Sequence, residues 1–136
     1  MENKEIYSTE VNKKVKEVIV EDECVSMVTE DGIIKISTDH SQDCCENVYG
    51  DFKIVNFHIQ NILENQLEKI VIKQVQGMGF LICLEFERWP VSDDKIFIPC
   101  YNYQNGYYSS SLSLVVNKYG VETRVDISDL VEDHID

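Results

Sequence analysis

The sequence predicts an α+β fold: a single domain, mainly antiparallel β-sheet, with one principal helix. Three observations predict it. Short apolar runs of strand length dominate the chain, glycine-containing turn pairs such as Asp31-Gly32 and Asn105-Gly106 punctuate them, and only one stretch carries helical spacing. Short connections between strands favour antiparallel over parallel pairing. At 136 residues and 43% apolar content, residues 1–136 suit one domain with one core.

Taken in order, residues 5–20 read two ways. Val11, Val15, Val18 and Ile19 fit a helical stripe, whereas Val18, Ile19 and Val20 open a strand, and a strand near 14–21 is the expectation. Residues 24–37 read as a hairpin turning at Asp31-Gly32. That register sets Glu30 against Ile33 and Cys24 against Asp39. Residues 48–55 suit a short strand, and Phe57, Ile59, Ile62, Leu63 and Leu67 give the principal helix over 57–67. Residues 70–75 and 80–86 form a second hairpin around Gly77, Met78 and Gly79. Residues 95–103 and 107–116 are expected to pair around Asn105-Gly106, with a last strand at 121–127 before an acidic tail.

The chemistry concentrates in residues 39–46, where His40, Cys44 and Cys45 stand among Asp39, Asp43 and Glu46. Thiolate sulfur and imidazole nitrogen together suit a borderline-soft ion such as zinc, at roughly 2.0–2.3 Å. One zinc ion held by His40, Cys44 and Cys45 is therefore expected. The hairpin register makes Cys24 a candidate further ligand, with Cys100, Asp39 and Asp43 as alternatives. Five cysteines, an odd number without a spaced pair, fit free thiols or metal ligands in a reducing compartment better than a disulfide framework. Cys83, inside an apolar run, reads as core.

Charge bounds the partners. The formal net charge is −13, from 25 acids against 12 bases, and the acids cluster at 17–31, 39–51 and 121–136. Such a surface repels phosphate and disfavours direct nucleic-acid binding, but it suits a protein partner with a basic surface. Glu21, Asp22, Glu23, Glu30 and Asp31 are the first candidates for that contact, with the ring faces of Tyr107 and Tyr108 as a second patch. No apolar run reaches the ~20 residues of a membrane span, and no secretory signal is visible, so a cytoplasmic location is expected. Catalysis is not: carboxylates around Cys44 would raise its pKa and suppress the thiolate, and a zinc hydrolase would have only Glu46 as a local base.

Two stretches resemble a family of small proteins from phages and their bacterial hosts. The first is His40, Gln42, Asp43, Cys44, Cys45 and Glu46, with Val48 behind it; the second is Asn105, Gly106, Tyr107, Tyr108 and Ser109. The resemblance covers residues 24–116. It departs from the family before the tyrosines, where Cys100, Tyr101, Asn102, Tyr103 and Gln104 replace a tryptophan and a Gly-Glu-Ser run. Among small acidic phage proteins are anti-CRISPR inhibitors. The resemblance thus implies an inhibitor of a host-defence protein, in its most specific form one that blocks nucleic-acid loading by an RNA-guided CRISPR effector nuclease, in the host cytoplasm. The alternatives are a metal-stabilised phage accessory protein without a defence target and a zinc-dependent hydrolase.

Overall fold

A computed structural model describes residues 4–39, 47–75, 78–87, 92–104, 112–127 and 132–135. Within them the strands are β1 (Lys4–Lys14), β2 (Glu17–Val20), β3 (Cys24–Thr29), β4 (Gly32–Asp39), β5 (Asn47–Gly50), β6 (Gln66–Val75), β7 (Gly79–Glu87), β8 (Ser92–Gln104), β9 (Ser113–Lys118), β10 (Val121–Asp126) and β11 (Glu132–Ile135). They make two sheets. One runs β1-β6-β7-β8-β11 with β5 also on β8; the other runs β10-β9-β4-β3-β2. All pairs are antiparallel except β8 with β11.

Alternation explains the layering. In the second sheet Val25, Met27, Ile34, Ile36, Leu114 and Val116 are buried, and in the first sheet so are Leu67, Ile70, Ile72, Phe80, Ile82, Leu84, Ile96 and Ile98. These side chains form one continuous apolar cluster, completed by Phe52, Val55 and Ile62. Two half-apolar sheets can satisfy their faces only against each other, which gives the two-layer arrangement. The chain passes from the first sheet to the second at Val15, which is fully buried, its N–H donating to the Asn65 carbonyl (3.1 Å) and its carbonyl accepting from Glu64 N–H (2.9 Å).

Several expectations hold and several need correction. The mainly antiparallel sheet is present, and β6 and β7 form the hairpin expected around Met78, with Val75 opposite Gly79. The principal helix is much shorter and earlier: a 3-10 turn over Lys53–His58 leads into α1 (Ile59–Ile62). Leu63 is already extended at ψ 136°, Glu64 takes φ +66°, and Leu67 belongs to β6. Phe57, expected on the apolar stripe, is 82% exposed, because the buried side chains of this segment are Val55 and Ile62. Residues 5–20 hold two strands divided between the sheets, where one near 14–21 was expected.

The β3–β4 register differs from expectation by two residues: Thr29 faces Gly32, and Cys24 faces Ser37 instead of Asp39. The turn residues are Glu30 and Asp31. Gly32 takes the positive φ of +136° at the end of the turn, and the Asp31 N–H donates to Thr29 Oγ1 at 3.1 Å, fixing a side-chain-mimicked turn one step earlier. Among the described residues the expected pairing of 95–103 with 107–116 is not found, since β8 lies against β7, β5 and β11 while β9 lies between β4 and β10. Tyr119 (φ +54°) and Gly120 (φ +91°) close the tight β9–β10 hairpin with both central residues left-handed. Asn105 to Tyr108 lie outside the described residues.

Gly79 marks the closest backbone approach. With φ +148°, a Cβ there would sit 2.1 Å from the Ile98 carbonyl oxygen and 3.0 Å from the Cys100 nitrogen. Gly79→Ala is therefore expected to lose about 3–5 kcal/mol in chemical denaturation, because both the backbone angle and the neighbouring strand resist it. A loss below about 1 kcal/mol would contradict this packing.

Candidate protein-docking face

The β2–β3 hairpin carries Asp22 and Glu23 at its tip, where Glu21 N–H donates to the Cys24 carbonyl (2.9 Å). Two further backbone bonds anchor the tip. Phe52 N–H donates to the Asp22 carbonyl (3.0 Å) and Thr38 N–H to the Glu23 carbonyl (3.3 Å). Phe52 is fully buried, and buried Thr38 accepts from Gly50 N–H (3.1 Å), so the acidic tip is tied to the core instead of swinging free. Gly50 is close to obligatory there: a Cβ would come within 2.8 Å of Thr38 Cγ2.

Beyond the tip, the outward face of the second sheet forms an open trough of about 680 Å³. Glu21, Asp22, Glu23, Asp39 and Glu122 contribute five carboxylates to its lining, against the two bases Lys35 and Arg124. Arg124 is already engaged, with Nη1 2.8 Å from Asp39 Oδ2 and Nε 3.0 Å from Glu122 Oε2. Glu23 feels the excess: partial burial, with Asp22 and Asp39 nearby, pushes its carboxyl above the ordinary carboxylate range. The β5 side adds Tyr49 and Asp51 in a smaller hollow of about 250 Å³ beside Asp22 and Glu23.

The other expected acids sit elsewhere. Glu30 and Asp31 occupy the turn at the far end of β3, six residues and about 20 Å along the strand from the tip. Lys13 Nζ meets both, at 3.1 and 3.5 Å, and its hydrogen bond holds the Glu30 carboxyl below its usual range. This pair is largely compensated within the chain. The five acids named from the sequence thus divide into an uncompensated tip and a compensated turn, while Asp39 and Glu122 join the tip from strands that no local pattern connects to it.

Cys24 lies on the floor of the trough, 5% exposed, and donates its Sγ proton to Glu21 Oε2 at 3.1 Å. Burial first, then the bond to Glu21, pushes the thiol up to about 11. A metal at Cys24 would have to displace that proton against the neighbouring carboxylate. His40, Cys44 and Cys45 lie outside the described residues, and among the described residues no group of three or more His, Cys, Asp or Glu side chains could hold a metal ion. Tyr107 and Tyr108 lie outside them too. Cys83 is buried as expected, and Cys100 sits in the core, where burial raises its thiol to about 12. His58 is satisfied by Asp94, Nδ1 to Oδ2 at 3.0 Å.

Comparison with protein-family models, with curated proteins and with solved structures finds no match to this chain. Among the described residues no helix is long and apolar enough to cross a membrane.

The raising of the Glu23 carboxyl by burial and by its acidic neighbours has a measurable sign. A carboxyl raised by folding favours the folded state below the ordinary carboxylate pKa, and that contribution is lost as pH rises through the raised value. Glu23→Gln should accordingly raise the melting temperature by about 1–3 °C at neutral pH and change it little near pH ~3. An equal effect at both pH values, or destabilisation at neutral pH, would contradict the electrostatic origin.

Proposed function

We propose that this protein acts by binding, presenting the acidic hairpin tip and trough to a basic surface of another protein. The observation that carries the reading is the unbalanced set Glu21, Asp22, Glu23, Asp39 and Glu122, held by backbone bonds to Phe52 and Thr38, with Lys35 and Arg124 as the bases among the described residues that line the trough and Lys53 in the hollow beside it. Like charges fixed together store repulsion that incoming lysines or arginines relieve, and the excess field steers their approach. The trough is open and polar, a shape suited to a convex partner more than to an enclosed small molecule. In its most specific form the partner is an RNA-guided nuclease, whose guide- or target-binding channel the acidic face occupies; the resemblance to phage proteins supports this target, and the charge excess supports the mode of contact.

Zinc enters the proposal through the donor set of His40, Cys44 and Cys45. Residues 40–46 connect β4 in the acidic sheet to β5 in the other, so an ion held there would brace the joint between the sheets.

Two measurements test these statements. Reversing Glu21, Asp22 and Glu23 to lysine should slow association with a purified CRISPR effector nuclease about tenfold or more at low salt, while the same change at Glu30 and Asp31 has a much smaller effect. Binding unaltered by the tip variant would remove this face from the function. Separately, elemental analysis of protein purified without added metal should find about one zinc per chain, lost together with thermal stability in Cys44→Ala and retained in Cys24→Ser. Metal-free wild-type protein of unchanged stability would remove the ion.

A further inference from the structure

The sheet edges are not alike. Strand β1 is interrupted by register shifts between Glu5 and Tyr7 and between Glu10 and Lys13, with Asn12 at φ +52°, and β2 and β11 are four residues long. Bulges and short length are the ordinary ways in which a sheet blunts an open edge. Strand β10 has neither. It pairs with β9 over six residues without a register shift, ends its sheet, and has no second neighbour among the described residues. Every residue from Val121 to Arg124 is exposed, Val121 by 71%.

Which backbone groups face outward follows from the tight hairpin. Lys118 and Val121 flank the two turn residues, so Val121, Thr123 and Val125 bond to β9, a ladder that Ile127 continues by donating its N–H to the Leu112 carbonyl at 2.8 Å. The N–H and C=O groups of Glu122 and Arg124 therefore point to the open side. An antiparallel neighbour of the same sequence can bond there through the outward groups of its own Glu122, Arg124 and Asp126; a two-fold on Val125 would set Arg124 against Asp126 but pair only residues 124–126 of the strand. Centring the two-fold on Thr123 sets Glu122 against the second copy's Arg124 and Arg124 against the second copy's Glu122, with Val121 beside Val125. Moving the centre to Glu122 or to Arg124 would put like charges face to face. The Thr123 register is the one that uses the strand's whole length and pairs opposite charges.

We infer that β10 is a self-association edge, and that two copies of this chain join through antiparallel β10–β10 pairing about Thr123. The pairing supplies two backbone bonds at each of its two Glu122–Arg124 positions and covers Val121. It also changes the docking face. Glu122 and Arg124 line the acidic trough, so the two troughs come together across the joint on one sheet of twice five strands. The inference shares Glu122 and Arg124 with the docking face, but self-association is read without any other protein, so its failure and that of the proposed function are distinguishable.

The test is sedimentation velocity on the full chain over a concentration series to ~0.3 mM, since self-association is concentration-dependent. Wild-type protein should shift from monomer to dimer. Glu122→Arg places two arginine pairs across the two-fold and Arg124→Glu places two glutamate pairs, so each variant alone should remain monomeric. Mixed in equal amounts they present arginines to glutamates at both positions and should form a heterodimer, and the double variant Glu122→Arg/Arg124→Glu should dimerise again. The side chains are about half exposed, so the substitutions leave the core untouched, and circular dichroism of each variant verifies its fold. A wild type that stays monomeric throughout, single variants that dimerise as the wild type does, or a mixture that behaves as the sum of its parts would each overturn the pairing.

Discussion

The apolar layer shared by the sheets, with Ile34, Ile36, Leu114 and Val116 on one side and Ile70, Ile72, Phe80 and Ile98 on the other, constrains everything outside it. A strand that covers such a layer with alternate residues must send the rest outward. Thus burying Ile34, Ile36 and Thr38 exposes Lys35, Ser37 and Asp39 on the opposite face, and burying Leu114 and Val116 turns Val115 and Asn117 the same way. The trough floor is the obligatory reverse of the core. Its charge follows from which polar residues occupy those outward positions, and its shape from the hairpin tip anchored to Phe52 and Thr38 at one border.

What could be read from the chain alone divides by range. The β6–β7 hairpin was legible because its strands are apolar, close together and joined by Gly77, Met78 and Gly79. The two-residue error at β3–β4 came from treating Asp31-Gly32 as the turn, when Thr29 Oγ1 captures the Asp31 N–H and leaves Gly32 as the residue with positive φ. Helical spacing at 57–67 misled because Leu67 belongs to a strand and Phe57 faces solvent, and a four-residue α1 carries too little periodicity to bound itself. Tyr119-Gly120 was a usable turn signal: a left-handed tyrosine beside glycine closes β9–β10. The β4–β9 partnership, by contrast, had no local signature, and with it went any way to foresee Asp39 and Glu122 gathering beside Glu21, Asp22 and Glu23. The parallel strand β11, inside what reads as an acidic tail, was hidden for the same reason.

Net charge is therefore a poor guide to where this surface is reactive. Glu30 and Asp31 sit in an acidic stretch yet share Lys13, and Asp94 answers His58. Among the described residues no ion pair engages Glu21, Asp22 or Glu23, and partial burial first, then Asp22 and Asp39, raises the Glu23 carboxyl. Cys24 belongs to the same setting: beside Glu21 and Glu23 its thiol keeps its proton, which makes it an inert hydrogen-bond donor and not a nucleophile.

The way the chain shuttles between layers also governs how it can be made. Ile36 lies beside Val116, 80 positions later, and Ser8 beside Val71, so neither sheet can close until most of the polypeptide has left the ribosome. Ile34 and Ile36, fully buried in the folded chain, gain the cover of β9 and of the first sheet only once those later strands are made. Because β9 lies between β4 and β10, its loss would leave β10 without a strand neighbour and take Val115, Asn117, Glu122 and Arg124 from the lining of the acidic trough.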